Sequence, residues 1–375
     1  MDSARFGMPA PASPDDDLSV LRLIRSRRVG PATYHRLIAE HGSARAALEA
    51  LPAIAAEAGI DAYRPCPEGV AAAELAAGRR AGARLIRCDS ADYPPALRDI
   101  DGAPPVLWVR GDLSWLSRQV IAVIGARNAS SLGLRMARGM SAGLGEAGFT
   151  VVAGLARGVD TAAHVAALGT GTIAVMAGGV DVVYPPENAA LAAQIAEAGA
   201  IVSEQPPGTE PQARHFPTRN RIVSGLSAAV VVIEAAQRSG TLITAKNALD
   251  QGREVMAVPG HPMDARASGC NALIRDGATL VRSAADVVDA LGAVAPGRLP
   301  RPMRPAAVPT PAPPQPAPPL QLEGQILSRL TPSPTEENDL IRDLGVPASS
   351  ASAAILSLEL QGRVTRLAGG RVALS

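Results

Sequence analysis

Gln119-Val120-Ile121-Ala122-Val123-Ile124-Gly125-Ala126-Arg127-Asn128-Ala129-Ser130-Ser131-Leu132-Gly133 decides the architecture. Val120 to Ile124 is an apolar run rich in β-branched residues and reads as a strand, Gly125 opens a turn, and Ser130 or Ser131 can cap the helix that follows. The same alternation continues outward: Thr150 to Ala153, Thr172 to Met176, Ala200 to Ser203, Ala228 to Ile233, Glu254 to Val258 and Thr279 to Val281 are apolar runs separated by stretches of helical spacing. Upstream, Ala83 to Cys88 and Val106 to Arg110 read as two further short strands. Near-continuous apolar strands joined by helices predict a parallel sheet covered on both faces. The fold class is therefore α/β, with a doubly wound, mainly parallel Rossmann-like sheet. Ligands of such sheets bind beyond the carboxyl ends of the strands, near the point where strand order reverses.

The flanking segments differ in pattern. Residues 1–17 are rich in Pro and Asp and read as a disordered tail. Residues 18–82 carry helical spacing, with Leu18, Leu21 and Ile24 on one face and Tyr34, Leu37 and Ile38 on another. Between them Val29-Gly30-Pro31-Ala32-Thr33 forms a tight turn after Arg22, Arg25, Arg27 and Arg28, resembling a SAM/helix-hairpin-helix-like domain without that motif's usual first glycine. The Rossmann-like domain is expected over 83–295. Residues 296–319 hold eleven prolines in 24 positions, a stiff linker of up to roughly 75 Å if fully polyproline-like. Residues 320–375 form a winged-helix-like unit: Ser333-Pro334-Thr335-Glu336 predicts a capping box, Pro347 to Leu360 a helix, and Arg363 to Leu374 a hairpin around Ala368-Gly369-Gly370. This unit has five arginines against six acids and no cation in its candidate recognition helix, so protein contact or self-association is expected of it instead of duplex binding.

Composition bounds the function. The net charge of +1 supplies no global field for a polyanion, so any such site must be a local concentration of arginine. Cys66, Cys88 and Cys270 lack metal-ligand or redox spacing and read as free thiols of a reducing, cytoplasmic compartment. No segment reaches the ~18 uninterrupted apolar residues of a membrane span. No Walker lysine, nucleophile elbow or metal cluster is present, and His261 with Asp264 is too sparse for a metal; no catalytic residue, cofactor or metal is expected.

The strand ends carry the candidate site. In the first turn, Arg127 stands where a dinucleotide fingerprint needs its second glycine, and offers a charge to a phosphate instead. After the second strand, Asp160 and His164 are four apart on one helical face, compatible with a catalytic pair or with a helix-start carboxylate steadying a neighbour. Gly240 and Thr241 place free backbone N–H groups and a hydroxyl at a helix start, a ready anion site. Phe216, one of only three phenylalanines, lies in a Pro- and Gly-rich loop beside Arg214, Arg219 and Arg221. Such an aromatic can stack a nucleobase while the arginines pair with phosphates, or it can plug the sheet edge with the arginines as a solvated rim.

Taken together, Gly125-Ala126-Arg127, Gly154 to His164, Tyr184-Pro185-Pro186-Glu187-Asn188, Phe216-Pro217-Thr218-Arg219-Asn220-Arg221-Ile222, Ser239 to Ala245 and Gly269 to Gly277 resemble the DNA-processing protein A (DprA/Smf) family. The resemblance implies a non-enzymatic, single-stranded DNA-binding protein that forms a homodimer and loads the RecA recombinase in natural transformation. It implicates Gly125, Arg127, Phe216, Arg219, Asn220 and Arg221 in the DNA pocket. An alternative from another class is a nucleoside-monophosphate-hydrolysing enzyme of the lysine-decarboxylase-like fold, with Glu234, Asp181 and Arg221 acting on the nucleotide; the acid that follows the Gly-Thr turn of those enzymes is missing here.

Overall fold

The computed structural model describes residues 14–292, 319–367 and 369–375. Most of the expected tail, all of the expected linker but Pro319, and the hairpin residue Ala368 lie outside the described residues. Helices α1 (Pro14–Arg25), α2 (Pro31–His41), α3 (Ala44–Glu57) and α4 (Glu68–Arg80) come first, α1 beginning inside the span read as tail. Asp17 gives a local reason for this, since its carboxylate receives the buried Arg87 guanidinium at 3.3 Å. Pro31 sits at the start of α2, where a missing N–H is harmless.

A nine-stranded sheet follows. Its strands are β1 (Arg84–Arg87), β2 (Val106–Gly111), β3 (Val120–Ile124), β4 (Thr150–Ala153), β5 (Thr172–Val175), β6 (Ala200–Ser203), β7 (Ala229–Val232), β8 (Glu254–Ala257) and β9 (Thr279–Leu280). They lie in the order β1-β2-β6-β5-β4-β3-β7-β8-β9. β6 through β9 in that order pair in parallel, while β2 runs antiparallel to β6 and β1 antiparallel to β2. From β3 the chain steps one way to β4, β5 and β6, then returns to lay β7 on the other side of β3, so the order reverses between β3 and β7.

Side-chain alternation shows why the strands are apolar throughout. In β3, Val120, Ala122 and Ile124 join one buried cluster and Ile121 and Val123 the other. In β7, Val230 and Val232 face the first cluster, Ala229 and Val231 the second. A strand with period-two side chains and a helix layer on each face has no polar side to show. The helices between strands are α5 (Pro95–Arg98), α6 (Ser131–Glu146), α7 (Val159–Ala167), α8 (Ala189–Ala198), α9 (His215–Leu226), α10 (Thr241–Asp250), α11 (Ser268–Arg275) and α12 (Ala284–Ala290).

The C-terminal unit comprises α13 (Pro319–Arg329), β10 (Thr335–Glu336), α14 (Glu337–Leu344), α15 (Ala348–Leu360), β11 (Val364–Leu367) and β12 (Arg371–Leu374). The capping box expected at Ser333 does not form. Thr335 and Glu336 pair with Val372 and Arg371 as a third strand of the wing sheet, and the helix starts only at Glu337. Ladder hydrogen bonds to β12 outcompete a local cap made by one hydroxyl.

The N-terminal helices are not a separate body. Leu21, Leu23, Tyr34 and Leu37 share one buried cluster with Trp108, Ala174 and Ile201 of the sheet and Ile195 of α8. A polar node ties the same seam. Glu74 accepts from Arg25 Nε and Nη2 at 3.0 and 2.8 Å and from Trp108 Nε1 at 2.9 Å, while Arg25 Nη2 also donates to Glu204 O at 3.1 Å. Gly78 makes the approach possible, because a Cβ there would stand 2.0 Å from the Trp108 ring. Two arginines of the turn-flanking group are thereby committed internally, Arg25 to Glu74 and Arg22 to Cys66 O at 3.1 Å. Truncating Glu74 would leave Arg25 Nε and the buried Trp108 indole N–H without their acceptor. We expect Glu74→Ala to lower unfolding free energy by about 3 kcal/mol in urea titration; a change within about 0.5 kcal/mol, as for an ordinary surface site, would show the node to be dispensable.

Candidate nucleic-acid interface

A cavity of about 820 Å³ opens over the carboxyl ends of β3, β4 and β7, at the reversal of strand order. Its walls come from the turn Gly125 to Asn128, from Gly154, Ala156 and Asp160 after β4, from one face of α9, from Ala236 and Arg238 to Thr244 around the start of α10, and from Arg266. Four arginines line it, Arg127, Arg219, Arg238 and Arg266, against one carboxylate, Asp160.

The segment expected to be a loop around Phe216 is the first turn of α9. Pro217 is tolerated because the first N–H groups of a helix have no intrahelical partner to lose. Helix geometry then sorts the side chains. Phe216, Asn220 and Val223 follow at spacings of four and three and present one face to the cavity, with Arg219 beside them. Arg221 lies two residues beyond Arg219, about 200° around the helix, and the structure places it away from the cavity. It pairs there with Glu204 on the far side of α9. Of the arginines that the family resemblance implicates, the structure thus brings Arg127 and Arg219 to the cavity and leaves Arg221 outside it.

Arg219 is buried, with 7% of its surface exposed. Its Nη1 donates to Gly154 O and Val175 O, each at 2.6 Å, and its Nε donates to Asn220 Oδ1 at 3.2 Å, leaving the Asn220 amide nitrogen as a donor at the wall. Gly154 is required by this packing, since a Cβ would meet Arg219 Nη1 at 1.9 Å. Asp160 does not pair with His164. Its carboxylate accepts from Gly154 N at 2.9 Å and Ala156 N at 3.3 Å, fixing the loop after β4, while His164 Nδ1 meets Thr172 Oγ1 at 2.8 Å. Burial raises the Asp160 pKa, and the Arg219 charge and the two amides oppose that rise. The helix-start reading of Asp160 is the one the geometry supports.

Thr241 reaches the cavity with its hydroxyl donating to Gly125 O at 3.0 Å, so the start of α10 braces the Arg127 turn. Ser239 Oγ already accepts from Thr241 N at 3.2 Å at this helix start, where Gly240 also lines the wall. Arg127 is exposed and lies 5.2 Å from the Phe216 ring centroid, close enough for cation–π contact. Phe216 meets Tyr184 edge-on, with centroids 5.8 Å apart. Tyr184 is half exposed, at 49%, and was missed as a candidate. The signal was its position before two prolines in a chain with only four tyrosines. Arg238 and Arg266 were missed because they lie in chain segments remote from the Phe216 run.

The residues of the hydrolase alternative are not brought together. Glu234 lines a different cavity and accepts from the backbone N–H and hydroxyl of Ser130. Asp181 accepts from Gly208 N at 2.7 Å, and Arg221 is held by Glu204. Among the described residues no group of three or more His, Cys, Asp or Glu is placed to hold a metal, and no helix is long and apolar enough to cross a membrane.

Residues 84–292 match the family described as DNA recombination-mediator protein A, over half of the chain. The chain belongs to the DprA/Smf family. Residues 14–77 match the DprA-like N-terminal HHH domain and 310–370 the DprA winged helix domain. The DprA of Bacillus subtilis is 42% identical over 220 residues, covering 58% of this chain and 74% of that protein. The Smf protein of Escherichia coli K12 is 44% identical over 210 residues, covering 55% and 56%. Among solved structures, DprA from Streptococcus pneumoniae has a TM-score of 0.56 at 39% identity over 60% of this chain and 77% of its own. DprA from Helicobacter pylori, described for its single-stranded DNA binding mode, has a TM-score of 0.52 at 26% identity over 56% and 97%. The doubly wound sheet, the N-terminal helical domain and the C-terminal winged helix are thus the DprA/Smf layout.

The buried histidine beneath the site gives a pH signature. Burial, with the Arg219 charge adding to it, pushes His164 down to about 3, so the folded protein holds it neutral. An unfolded chain takes up that proton below its ordinary value of 6.5. The stability contributed by the neutral ring is therefore present above 6.5 and lost as pH falls from there towards about 3. His164→Gln should flatten the decline of unfolding free energy between neutral pH and about pH 4 by up to one proton, about 1.4 kcal/mol per pH unit. Equal slopes for variant and wild type would contradict the assignment.

Proposed function

We propose that this protein binds single-stranded DNA, independently of sequence, in the cavity above β3, β4 and β7. The observation that carries the reading is the lining itself: four arginines face one carboxylate that is already engaged by backbone amides, and Phe216, backed by Tyr184 in an adjoining small pocket, presents aromatic surface beside the exposed Arg127. Arg127 and Arg238 engage phosphates, Phe216 stacks a base, and the Asn220 amide adds a donor. Arg219 acts from below, by holding the strand ends and Asn220. Gly125, Gly240 and Thr241 shape the wall, Thr241 by steadying the Arg127 turn. Arg221 positions α9 and makes no phosphate contact. Stacking and phosphate contacts read no base edges, so no sequence preference follows.

Family membership and the Helicobacter pylori relative's described binding mode support the choice of ligand. One cavity provides modest affinity, and a homodimer presenting two would raise it through effective concentration. The family's description as a recombination mediator supports hand-over of the bound strand to RecA in the cytoplasm, with the protein acting as a binding and loading factor and not as an enzyme. In this reading the helical unit, with its first helix starting at Pro14, is packed onto the sheet domain expected over 83–295, and residues 320–375 form the winged-helix unit.

Fluorescence anisotropy of a labelled oligo-dT across a salt series tests the reading. Phe216→Ala should weaken binding by about 1–3 kcal/mol, roughly five- to a hundredfold, without changing the salt slope. Arg127→Ala should weaken it and flatten the log–log slope by about 0.7, the share of one single-strand phosphate. Absence of binding by wild type at low salt would overturn the reading.

A further inference from the structure

The winged-helix unit is seated on the sheet domain by charge. Arg135 Nη1 of α6 meets Asp339 Oδ2 of α14 at 2.5 Å, and Arg138 Nη2 meets Asp343 Oδ1 at 2.9 Å. Arg329 Nη1 donates to Ala129 O at 3.0 Å, next to the Arg127 turn. Arg266 Nη1 donates to Ser328 O at 2.6 Å, and its Nη2 to Leu330 O. The apolar core of the unit, with Leu322, Ile326, Leu340, Ile355 and Val372, is separate from the clusters of the sheet domain. Between the two bodies lies a space of about 550 Å³, lined from both sides by groups such as Arg135, Glu234, Thr331 and Ser333. A contact held by ion pairs around an unfilled cavity lacks the packed apolar interface of a permanent junction.

Arg266 belongs to both sites. It lines the cavity assigned above to single-stranded DNA, its Nε pairs with Asp264 Oδ1 at 3.2 Å, and its Nη atoms bond the end of α13. From Ser130 to Arg138, α6 carries the arginine row a further ~12 Å from that cavity at 1.5 Å per residue. Asp339 and Asp343, four apart on α14, match Arg135 and Arg138, three apart on α6. The match is incomplete. Asp343 has a side chain only 5% exposed, and its Oδ2 has no hydrogen-bond partner.

We propose that Arg135 and Arg138 form a second phosphate-binding track that continues the cavity past Arg266, and that the carboxylates of α14 occupy these two arginines as stand-ins for phosphates until a long strand displaces them. The proposal rests on the reading of the cavity as a single-strand site. Once the first phosphates are held there, the next phosphates of the same strand arrive at high effective concentration, whereas the α14 carboxylates are held by two ion pairs without a packed apolar interface behind them. The phosphodiester chain is the ligand; a strand that ends inside the cavity leaves the winged helix seated.

Hydrogen exchange of the full-length protein, read by mass spectrometry, tests this with a short oligo-dT that fits the cavity and a long one that runs past it. The long oligomer should raise exchange in 337–344 while leaving 131–146 protected; the short one should bind without either change. In parallel, Asp339→Asn/Asp343→Asn should tighten binding of the long oligomer by about three- to tenfold and leave the short one unaffected. Adding Arg135→Gln/Arg138→Gln in that background should remove the gain. If both oligomers bind, yet exchange in 337–344 is unmoved and the aspartate variant binds as wild type does, the track is overturned and the cavity reading stands. If neither oligomer binds, the cavity reading fails and takes the track with it.

Discussion

A buried guanidinium is the constraint on which the site depends. Arg219 sits where β4 and β5 end, and its Nη1 takes the carbonyls of Gly154 and Val175. A buried arginine is tolerated only when its donors are met and a carboxylate is near; Asp160, held by the amides of Gly154 and Ala156, supplies the second condition. The node thus joins two strand ends, the loop after β4 and the first turns of α9. Phe216 and Asn220 take their places because they share the helix face of Arg219. Remove the cation and the floor of the cavity is a set of unpaired strand-end carbonyls.

Arginine therefore performs two different tasks in this chain, which has Lys246 as its single lysine. Arg25, Arg219 and Arg221 hold elements together through carboxylates and carbonyls, work suited to a planar fork of fixed donors. Arg127 and Arg238 are exposed at the cavity rim. A net charge of +1 is compatible with a polyanion site because the charge is concentrated locally: the cavity lining holds four arginines and one carboxylate, and of these arginines Arg266 is paired with Asp264 outside the lining.

The sheet was legible because strands buried on both faces must be apolar at every position, and Val120 to Ile124 or Ala200 to Ser203 admit few other readings. The cavity's place followed from the same topology. What escaped was of two kinds. Some of it was local competition: Pro217 suggested a loop but sits where a helix accepts proline, and Ser333 suggested a cap but its neighbours had a strand to join. The rest was long-range pairing. Arg219 and Arg221 look alike in sequence, and only the partners brought by the fold, Gly154 and Val175 for one and Glu204 for the other, separate the buried brace from the helix anchor. Arg238 and Arg266 reach the cavity, and Tyr184 reaches the outer side of Phe216, from segments that no spacing rule connects to Phe216.

The central claim is that the Phe216–Tyr184 pair beside Arg127 is where bases and phosphates of a single strand are held. Photo-crosslinking of a thymidine oligomer carrying a photoreactive base, followed by peptide mapping, tests it most directly. The account predicts crosslinks to the peptides containing Phe216 or Tyr184, suppressed by unlabelled oligo-dT. Crosslinks confined to the N-terminal helices or to the winged-helix unit, with these two peptides unmodified, would contradict it.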